Sequence, residues 1–234
     1  MSQRPWAHLV DRRGDARGDA RRTALLEAFD ALLREQRLEE INVAEISRRA
    51  GVTRSAFYFY FESKAIAVMA LMADLYDAAS TATEELVAAS GDPEQRVRGV
   101  IAQLFDSVDR APHTYRALLE ARASNAAVRE SWDAGLDAFA TEVAAMIRTE
   151  RAAGRAVPGP DPGVLAAVLL DVNNHALERH ALGSGPRRED HIAALAAIWL
   201  STIYGIHGAD TSGDTSAETR SRTHDHARPD GSQP

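Results

Sequence analysis

The sequence predicts an all-α protein with about nine helices, and three observations support this prediction. Alanine, leucine, arginine and glutamate, which favour helices, are abundant, whereas aromatic residues make up only 6% of the chain. Runs of β-branched residues are scarce. Apolar residues recur at spacings of three and four, as on the buried face of an amphipathic helix. We therefore expect helices nearly everywhere outside the two ends of the chain.

The length of 234 residues suggests two domains, because single domains usually contain about 100–150 residues. Residues 1–20 are too polar to bury a core, and we expect a mobile basic and polar arm there. A first helical domain is expected at residues 21–66 and a second at residues 67–206. Residues 207–234 contain almost nothing apolar, which predicts a disordered tail.

The charge of the chain is unevenly distributed. Residues 1–64 contain 12 Lys and Arg against 10 Asp and Glu, a net charge of +2, whereas the remainder contains 15 against 24, a net charge of −9. A polyanion such as DNA should therefore meet the N-terminal part. The chain has no cysteine, and its longest apolar stretch, at 192–206, is too short to span a bilayer. We therefore expect a cytoplasmic protein with no membrane partner.

The N-terminal part predicts a helix-turn-helix. The apolar face of its first helix, at about residues 22–36, consists of Leu25, Ala28, Phe29, Leu32 and Leu33. Asn42 and Glu45 form a variant of the capping box that starts a second helix, and Gly51 supplies the left-handed residue that ends it. Thr53 caps another helix only two residues later. Two short helices joined by so tight a turn have to cross steeply, as in a helix-turn-helix.

The segment from Gly51 to Lys64 contains the residues that we expect to bind DNA. We expect Phe57 and Phe61 to be buried and the two tyrosines of this segment to point outward. The expected DNA contacts are Thr53, Arg54, Ser55, Tyr58, Tyr60 and Lys64. The first three suit base edges in the major groove, whereas tyrosine hydroxyls, guanidinium and ammonium groups suit phosphate oxygens. The alternative is that the aromatic residues form only a small core and that the lysine is a solvated side chain.

Prolines and helix caps mark the starts of the remaining helices. Ser63 is expected to cap a long helix that begins at Lys64. Further helices are expected at about 93–110, 113–123, 126–153, 162–182 and 189–204. Residues 192–203 are apolar all around their helix, so both sides of this helix must be covered. A partner subunit is the simplest cover, which predicts a homodimer and hence a two-fold operator.

No catalytic constellation is visible, and we do not expect an enzyme. The chain lacks a Gly-rich phosphate loop, a Gly-x-Ser-x-Gly elbow and a His-Glu-x-x-His helix. His175, Glu178 and His180 are close in sequence, but their spacing does not place all three on one helix face, so we expect no metal site. A helical interaction protein without DNA binding is the remaining alternative, and it would leave the outward tyrosines without a role.

The stretch from the first helix through Ser63 and Lys64 resembles the TetR family of transcriptional regulators over about residues 20–70. Within that family, Trp132, Asn173 and residues 198–205 are similar to the ethionamide-resistance regulators of mycobacteria. The resemblance implies a helical, Ω-like dimer in which the last two helices of each subunit form a four-helix bundle. It also implies a repressor that a small molecule, bound in the second domain, releases from a palindromic operator, with no other cofactor.

The resemblance further implies an apolar ligand channel in the second domain. Its lining would be Ile101, Leu104, Phe105, Leu136, Phe139, Val143, Leu170, Asn173, Leu177 and Trp199. Asn173 places an amide among leucines, where it either orients a small apolar ligand or is satisfied by backbone or dimer contacts. Some aromatic positions of the subgroup's channel fall here on Val97, Leu104 and Phe139, so the channel and its ligand class are expected to differ. Ordinary core packing explains the same residues equally well.

Overall fold

The computed structural model of the protein describes residues 16–88 and 91–206. These two ranges contain ten α-helices and no strand, which confirms the all-α prediction. The helices are α1 (Ala16–Glu35), α2 (Val43–Arg49), α3 (Arg54–Tyr60), α4 (Lys64–Leu71), α5 (Ala73–Val87), α6 (Pro93–Arg110), α7 (Pro112–Ser124), α8 (Ala126–Ala152), α9 (Pro162–Ala181) and α10 (Arg188–Tyr204). Most of the expected N-terminal arm and all of the expected tail lie outside the described residues.

Short-range capping explains where most of these helices begin. The side chains that cap a backbone N–H two or three residues ahead are those of Asn42, Thr53, Ser63, Asp92, Asn125 and Asp161. Proline occupies the first turn of α6, α7 and α9, where its missing N–H costs no hydrogen bond. The five helices expected beyond residue 92 are therefore confirmed with boundaries that agree to within one residue.

The long helix expected after Ser63 is instead two helices. α4 ends at Leu71, α5 begins at Ala73, and the two axes meet at an angle of 42°. Neither glycine nor proline lies at this break, and the side chain of Met72 there is buried. No single described helix is long and apolar enough to cross a membrane, and only the bent pair α4–α5 passes that test by length and composition.

Buried apolar side chains form two clusters. The first combines the inner faces of α1–α4 with side chains of α7, and it includes the expected stripe of Leu25, Phe29, Leu32 and Leu33. The second lies among α5, α6, α8, α9 and α10. Since the first cluster also includes Tyr76, Val108 and Leu118, the helix-turn-helix shares its core with helices that follow residue 66.

A polar contact joins α1 to α7. One carboxylate oxygen of Asp30 lies 2.7 Å from Nε2 of His113 and accepts a hydrogen bond from the Thr114 hydroxyl at 3.3 Å. The other oxygen accepts a hydrogen bond of 2.9 Å from Arg34. Burial raises the pKa of Asp30, but the hydrogen bonds from His113 and Arg34 outweigh this effect and hold the pKa below its ordinary value. The contact therefore helps to hold α1 against the C-terminal helices.

Candidate nucleic-acid interface and ligand site

The turn between α2 and α3 has the hydrogen bonds of a Schellman motif. The N–H of Gly51 donates to the carbonyl of Arg48 at 3.2 Å, and the N–H of Val52 donates to the carbonyl of Ser47 at 3.0 Å. Gly51 has φ +67°, a left-handed conformation that disfavours any residue with a Cβ. Thr53 then accepts a hydrogen bond from the N–H of Ala56 at 3.2 Å. The predicted glycine turn and the cap that follows it are both confirmed.

The side chains of α3 divide into a buried face and an exposed face. Phe57 and Tyr60, and Phe61 just after the helix, are buried against the first cluster. Tyr58 is 43% exposed and Phe59 is 59% exposed. The expectation that Tyr60 points outward is wrong, since only 4% of this residue is exposed. A period of 3.6 residues places positions 57, 60 and 61 on one face and positions 58 and 59 on the other.

The exposed face of α3 holds several expected DNA contacts close together. Thr53, Arg54 and Ser55 are exposed at its N-terminal end, and Tyr58 follows one turn later. The guanidinium of Arg54 lies 5.6 Å from the ring centroid of Tyr58 and donates a hydrogen bond of 3.3 Å to the Tyr58 hydroxyl. The stacked pair therefore presents a cation and a hydroxyl on the same side of the helix.

Lys64 does not point outward as expected. Its ammonium donates hydrogen bonds to the backbone carbonyls of Leu38, Glu39 and Ile41, which lie in the loop between α1 and α2. An ammonium has three protons, and these three carbonyls match that number. Burial lowers the pKa of Lys64 and the nearby carboxylates oppose this effect, but the net shift remains downward. In the structure Lys64 therefore makes a contact between α4 and the loop, where a free ammonium was expected.

Sequence reasoning missed two exposed residues of the helix-turn-helix. Phe59 was not among the expected contacts, although the helical period places it beside Tyr58 on the outward face. Arg48, at the end of α2, is strongly exposed, and the nearest carboxylate, that of Glu45, lies 3.7 Å away. Arg49 is different, because it makes two hydrogen bonds of 2.7 and 2.9 Å to the carboxylate of Glu35. A surface cavity of about 440 Å³ beside Arg54 and Tyr58 is also lined by Glu39, Glu40 and Glu62.

The expected ligand residues are mostly packed as core. Six of them share the second cluster, namely Ile101, Phe105, Val143, Leu170, Leu177 and Trp199. Phe139 instead packs against the first cluster, with its ring 5.2 Å from that of Tyr76. Leu104 and Leu136 are partly buried. A cavity of about 440 Å³ lies elsewhere, between α1, the α4–α5 bend and the α6–α7 junction, and none of the ten residues lines it.

Asn173 is the buried polar residue of the expected ligand site. Its Oδ1 accepts a hydrogen bond of 3.1 Å from the indole Nε1 of Trp199, which joins α9 to α10. Both partners are therefore residues that the sequence singled out. Among the hydrogen bonds of the described ranges none uses Nδ2 of Asn173, so this donor can still serve a further acceptor.

An apolar stripe runs along the outer side of α9. Val164, Val168 and Val172 are exposed at intervals of four residues, and Ile198 is exposed on α10. In the middle of α10 the other exposed side chains are the small ones of Ala193, Ala194 and Ala197. One side of α10 is thus buried within the protomer, and the middle of the side that faces away from its core is also apolar. In the part of the chain that the structure describes, no group of three or more His, Cys, Asp or Glu is placed to hold a metal ion.

Comparison with known proteins places the chain in a family. Residues 25–66 match the profile of bacterial regulatory proteins of the tetR family, and residues 97–205 match that of the C-terminal domain of the transcriptional regulator EthR. The HTH-type transcriptional regulator EthR of Mycolicibacterium smegmatis is 33% identical over 192 residues, which cover 80% of this chain and 88% of that relative. EthR of Mycobacterium tuberculosis is 31% identical over 195 residues, which cover 80% of this chain and 89% of that protein.

A solved structure agrees with this assignment at the level of the fold. The SmeT–triclosan complex matches with a TM-score of 0.61 at 19% identity and covers 79% of this chain and 92% of SmeT. The expected resemblance is confirmed, and the matching proteins are regulators and not enzymes. The chain therefore belongs to the TetR family of bacterial transcriptional regulators and has a C-terminal domain of the EthR type.

Proposed function

We propose that the protein is a homodimeric repressor that binds a palindromic operator through α2 and α3 and leaves it when a small apolar molecule binds in the second domain. The observation that supports DNA binding most directly is the exposed face of α3 beside the Schellman turn. TetR-family regulators bind DNA operators and small-molecule effectors, and the protein would act in the cytoplasm, where the DNA is. The proposed domains are residues 21–66 for DNA and residues 67–206 for ligand binding and dimerisation.

The proposed DNA contacts come from the exposed face of α3. Arg54 and Ser55 would meet base edges in the major groove, with Thr53 at the start of the helix. The hydroxyl of Tyr58 would donate to a phosphate and set the register of the helix on the duplex. Tyr60 is too deeply buried for such a contact, and the ammonium of Lys64 is occupied by backbone carbonyls, so neither belongs to the proposed set.

The proposed dimer forms through α9 and α10. The stripe of Val164, Val168 and Val172 exposes apolar surface that a second copy would remove from water. The alanines of α10 allow two helices to approach closely around the two-fold axis. Such a dimer places two α3 helices on one face of the DNA, about one helical turn of roughly 34–36 Å apart or a multiple of it, which is why the operator would be palindromic.

The proposed ligand site lies around Asn173. Apolar side chains of α6, α8 and α10 surround its helix, and Nδ2 can donate to a ligand carbonyl or hydroxyl. The proposed lining remains Ile101, Leu104, Phe105, Leu136, Phe139, Val143, Leu170, Asn173, Leu177 and Trp199. Since most of these residues pack as core, the ligand would have to separate helices of the second cluster. That movement would reach α1 through the contact between Asp30 and His113.

The proposed DNA contact of Arg54 can be tested against a matched arginine. Arg54→Ala is expected to weaken operator binding at least about 30-fold, because each of the two subunits loses an arginine–base contact of about 1–3 kcal/mol. The thermal midpoint should barely change, since Arg54 is a surface residue. Arg148→Ala, which removes an exposed arginine of α8, is the control and should bind like the unaltered protein. The measurement is fluorescence anisotropy with DNA flanking the gene, at two salt concentrations. Equal affinity of the two variants would contradict the assignment.

The proposed ligand site can be tested with neighbouring asparagines. A compound that raises the thermal midpoint and releases DNA is expected to bind about 2- to 12-fold more weakly to Asn173→Ala, because the ligand loses a neutral hydrogen bond of about 0.5–1.5 kcal/mol from Nδ2. Asn174→Ala is the control, since Asn174 donates to Glu178 on the other face of α9. Calorimetric titration measures both, with triclosan as the first probe. Equal loss in the two variants would place the ligand elsewhere.

A further inference from the structure

A cavity lies at the junction of the two proposed domains, apart from the proposed ligand site. Its volume of about 440 Å³ is within the range of roughly 300–1,000 Å³ that is usual for small-molecule sites. Its walls come from α1, from the α4–α5 bend and from the α6–α7 junction, and they include Leu26, Leu71, Leu75, Val108 and Arg110. We call it the junction cavity. A ligand bound there would contact both proposed domains at once.

The walls of the junction cavity are largely apolar. Met72 and Val108 are buried, whereas Leu26, Leu71 and Leu75 pack against the first cluster but are only partly buried. All five line the cavity, and they come from three separate parts of the chain. An apolar group bound there would remove the remaining surface of the leucines from water, which is favourable. The cavity therefore suits the apolar body of a ligand.

Two carboxylates give the junction cavity a negative charge. Glu27 of α1 and Asp74 of α5 line it and are exposed, and no hydrogen bond or ion pair within residues 16–88 and 91–206 uses either carboxylate. Asp30 lines it as well, but both of its oxygens already accept hydrogen bonds, from α1 and from α7. Arg110 is the one Lys or Arg among the described residues that line the cavity, and its guanidinium donates to the Ser107 hydroxyl at 2.8 Å. Negative charge is therefore in excess.

We infer that the junction cavity binds an organic cation that has an apolar body. The apolar body would lie against the leucines, and the positive charge would lie near Glu27 and Asp74. A neutral molecule of the same shape would take water from these carboxylates without supplying a counter-charge, and an anion would be repelled by them, so the cavity selects for positive charge. This inference goes beyond the proposed function, because the site proposed around Asn173 takes an apolar molecule and shares no lining residue with the junction cavity.

Calorimetric titration with tetraphenylphosphonium tests the inference. Tetraphenylborate has nearly the same shape and the opposite charge, which makes it the matched control ligand. The full chain is titrated at low ionic strength, where screening is weakest. We expect the unaltered protein to bind tetraphenylphosphonium at a single site in each protomer and to bind tetraphenylborate at least roughly tenfold more weakly, because its interaction with the carboxylates is repulsive. No DNA is present, so a failure here leaves the proposed operator binding untouched.

Variants of similar size assign the binding to the junction cavity by the sign of their effects. Glu27→Gln and Asp74→Asn should each weaken tetraphenylphosphonium binding about fivefold, because opposite charges about 4 Å apart attract by roughly that factor even in water. Arg110→Gln removes the positive charge of the cavity and should strengthen binding by a similar factor. Glu94→Gln removes an exposed carboxylate at the opposite end of α6 and should bind like the unaltered protein. All four side chains are exposed, so the variants should fold normally.

Four results would overturn the inference. Tetraphenylphosphonium does not bind the unaltered protein, or it binds the Glu27 and Asp74 variants as tightly as the unaltered protein, or Arg110→Gln weakens its binding. The fourth is that tetraphenylborate binds as tightly as tetraphenylphosphonium, because the cavity would then select for apolar shape alone.

Discussion

Replacing Lys64 with methionine is expected to lower the free energy of unfolding by about 3 kcal/mol. Each hydrogen bond to a charged group contributes about 1.5–3 kcal/mol, and three are lost, but water can replace part of them. The ammonium holds the carbonyls of Leu38, Glu39 and Ile41, and methionine offers them no donor. Urea denaturation at a fixed protomer concentration measures the change. Operator affinity should fall only as far as the folded fraction does at the assay temperature.

The control for Lys64 removes a positive charge without removing such a contact. Arg148→Met alters an exposed arginine of α8, and its stability should stay within about 0.5 kcal/mol of the unaltered protein. Two results together would show that Lys64 contacts phosphate instead. The first is a stability change as small as that of the control, and the second is a loss of DNA affinity in a fully folded Lys64→Met variant.

Replacing Val168 with aspartate is expected to produce a monomer and to reduce operator affinity at least 100-fold. Val168 is the middle residue of the exposed stripe on α9 and is 52% exposed in the protomer. In the proposed dimer a carboxylate at this position would be buried twice, once from each subunit, without a partner, and burial of an unpaired charge is costly. A monomer also binds one half-site instead of two, which removes the gain from linked binding of about 10²–10⁴.

Sedimentation or light scattering measures the mass, and anisotropy measures operator binding. Ala145→Asp introduces the same charge at an exposed position of α8, outside the stripe, and should leave both the dimer and its DNA affinity unchanged. A Val168→Asp protein that remains dimeric and binds the operator normally would show that α9 is not the dimer surface. The stripe would then need another partner.

Local rules predicted most of the helix boundaries. Asn42, Thr53 and Ser63 each cap a backbone N–H two or three residues away, and Pro93 and Pro162 each occupy the first turn of a helix. Such contacts depend on neighbouring residues alone, so a single sequence contains all the information that they need. The left-handed Gly51 belongs to the same class, because its φ follows from the Schellman motif at the end of α2.

The sequence contains enough information to predict which aromatic residues of α3 are buried, but the expectation for Tyr60 was wrong. Phe57, Tyr60 and Phe61 form one helical stripe by period alone, and Tyr58 and Phe59 form the other face. The error exchanged Tyr60 for Phe59 in the set of outward residues. The ligand residues are a different matter, since periodicity predicted their burial correctly for Ile101 and Phe105 but contained no information on whether a cavity remains between their helices.

By itself the sequence determined the helical class, most of the helix starts, the helix-turn-helix and its glycine turn, because each follows from interactions within one or two helical turns. Only the tertiary structure decided the role of Lys64, whose partner Leu38 is 26 residues away, and the break at Met72, where no local signal stands. It also decided the pairing of Asn173 with Trp199 across two helices. These features depend on which surfaces meet after the helices have formed, and distant residues control that choice through packing.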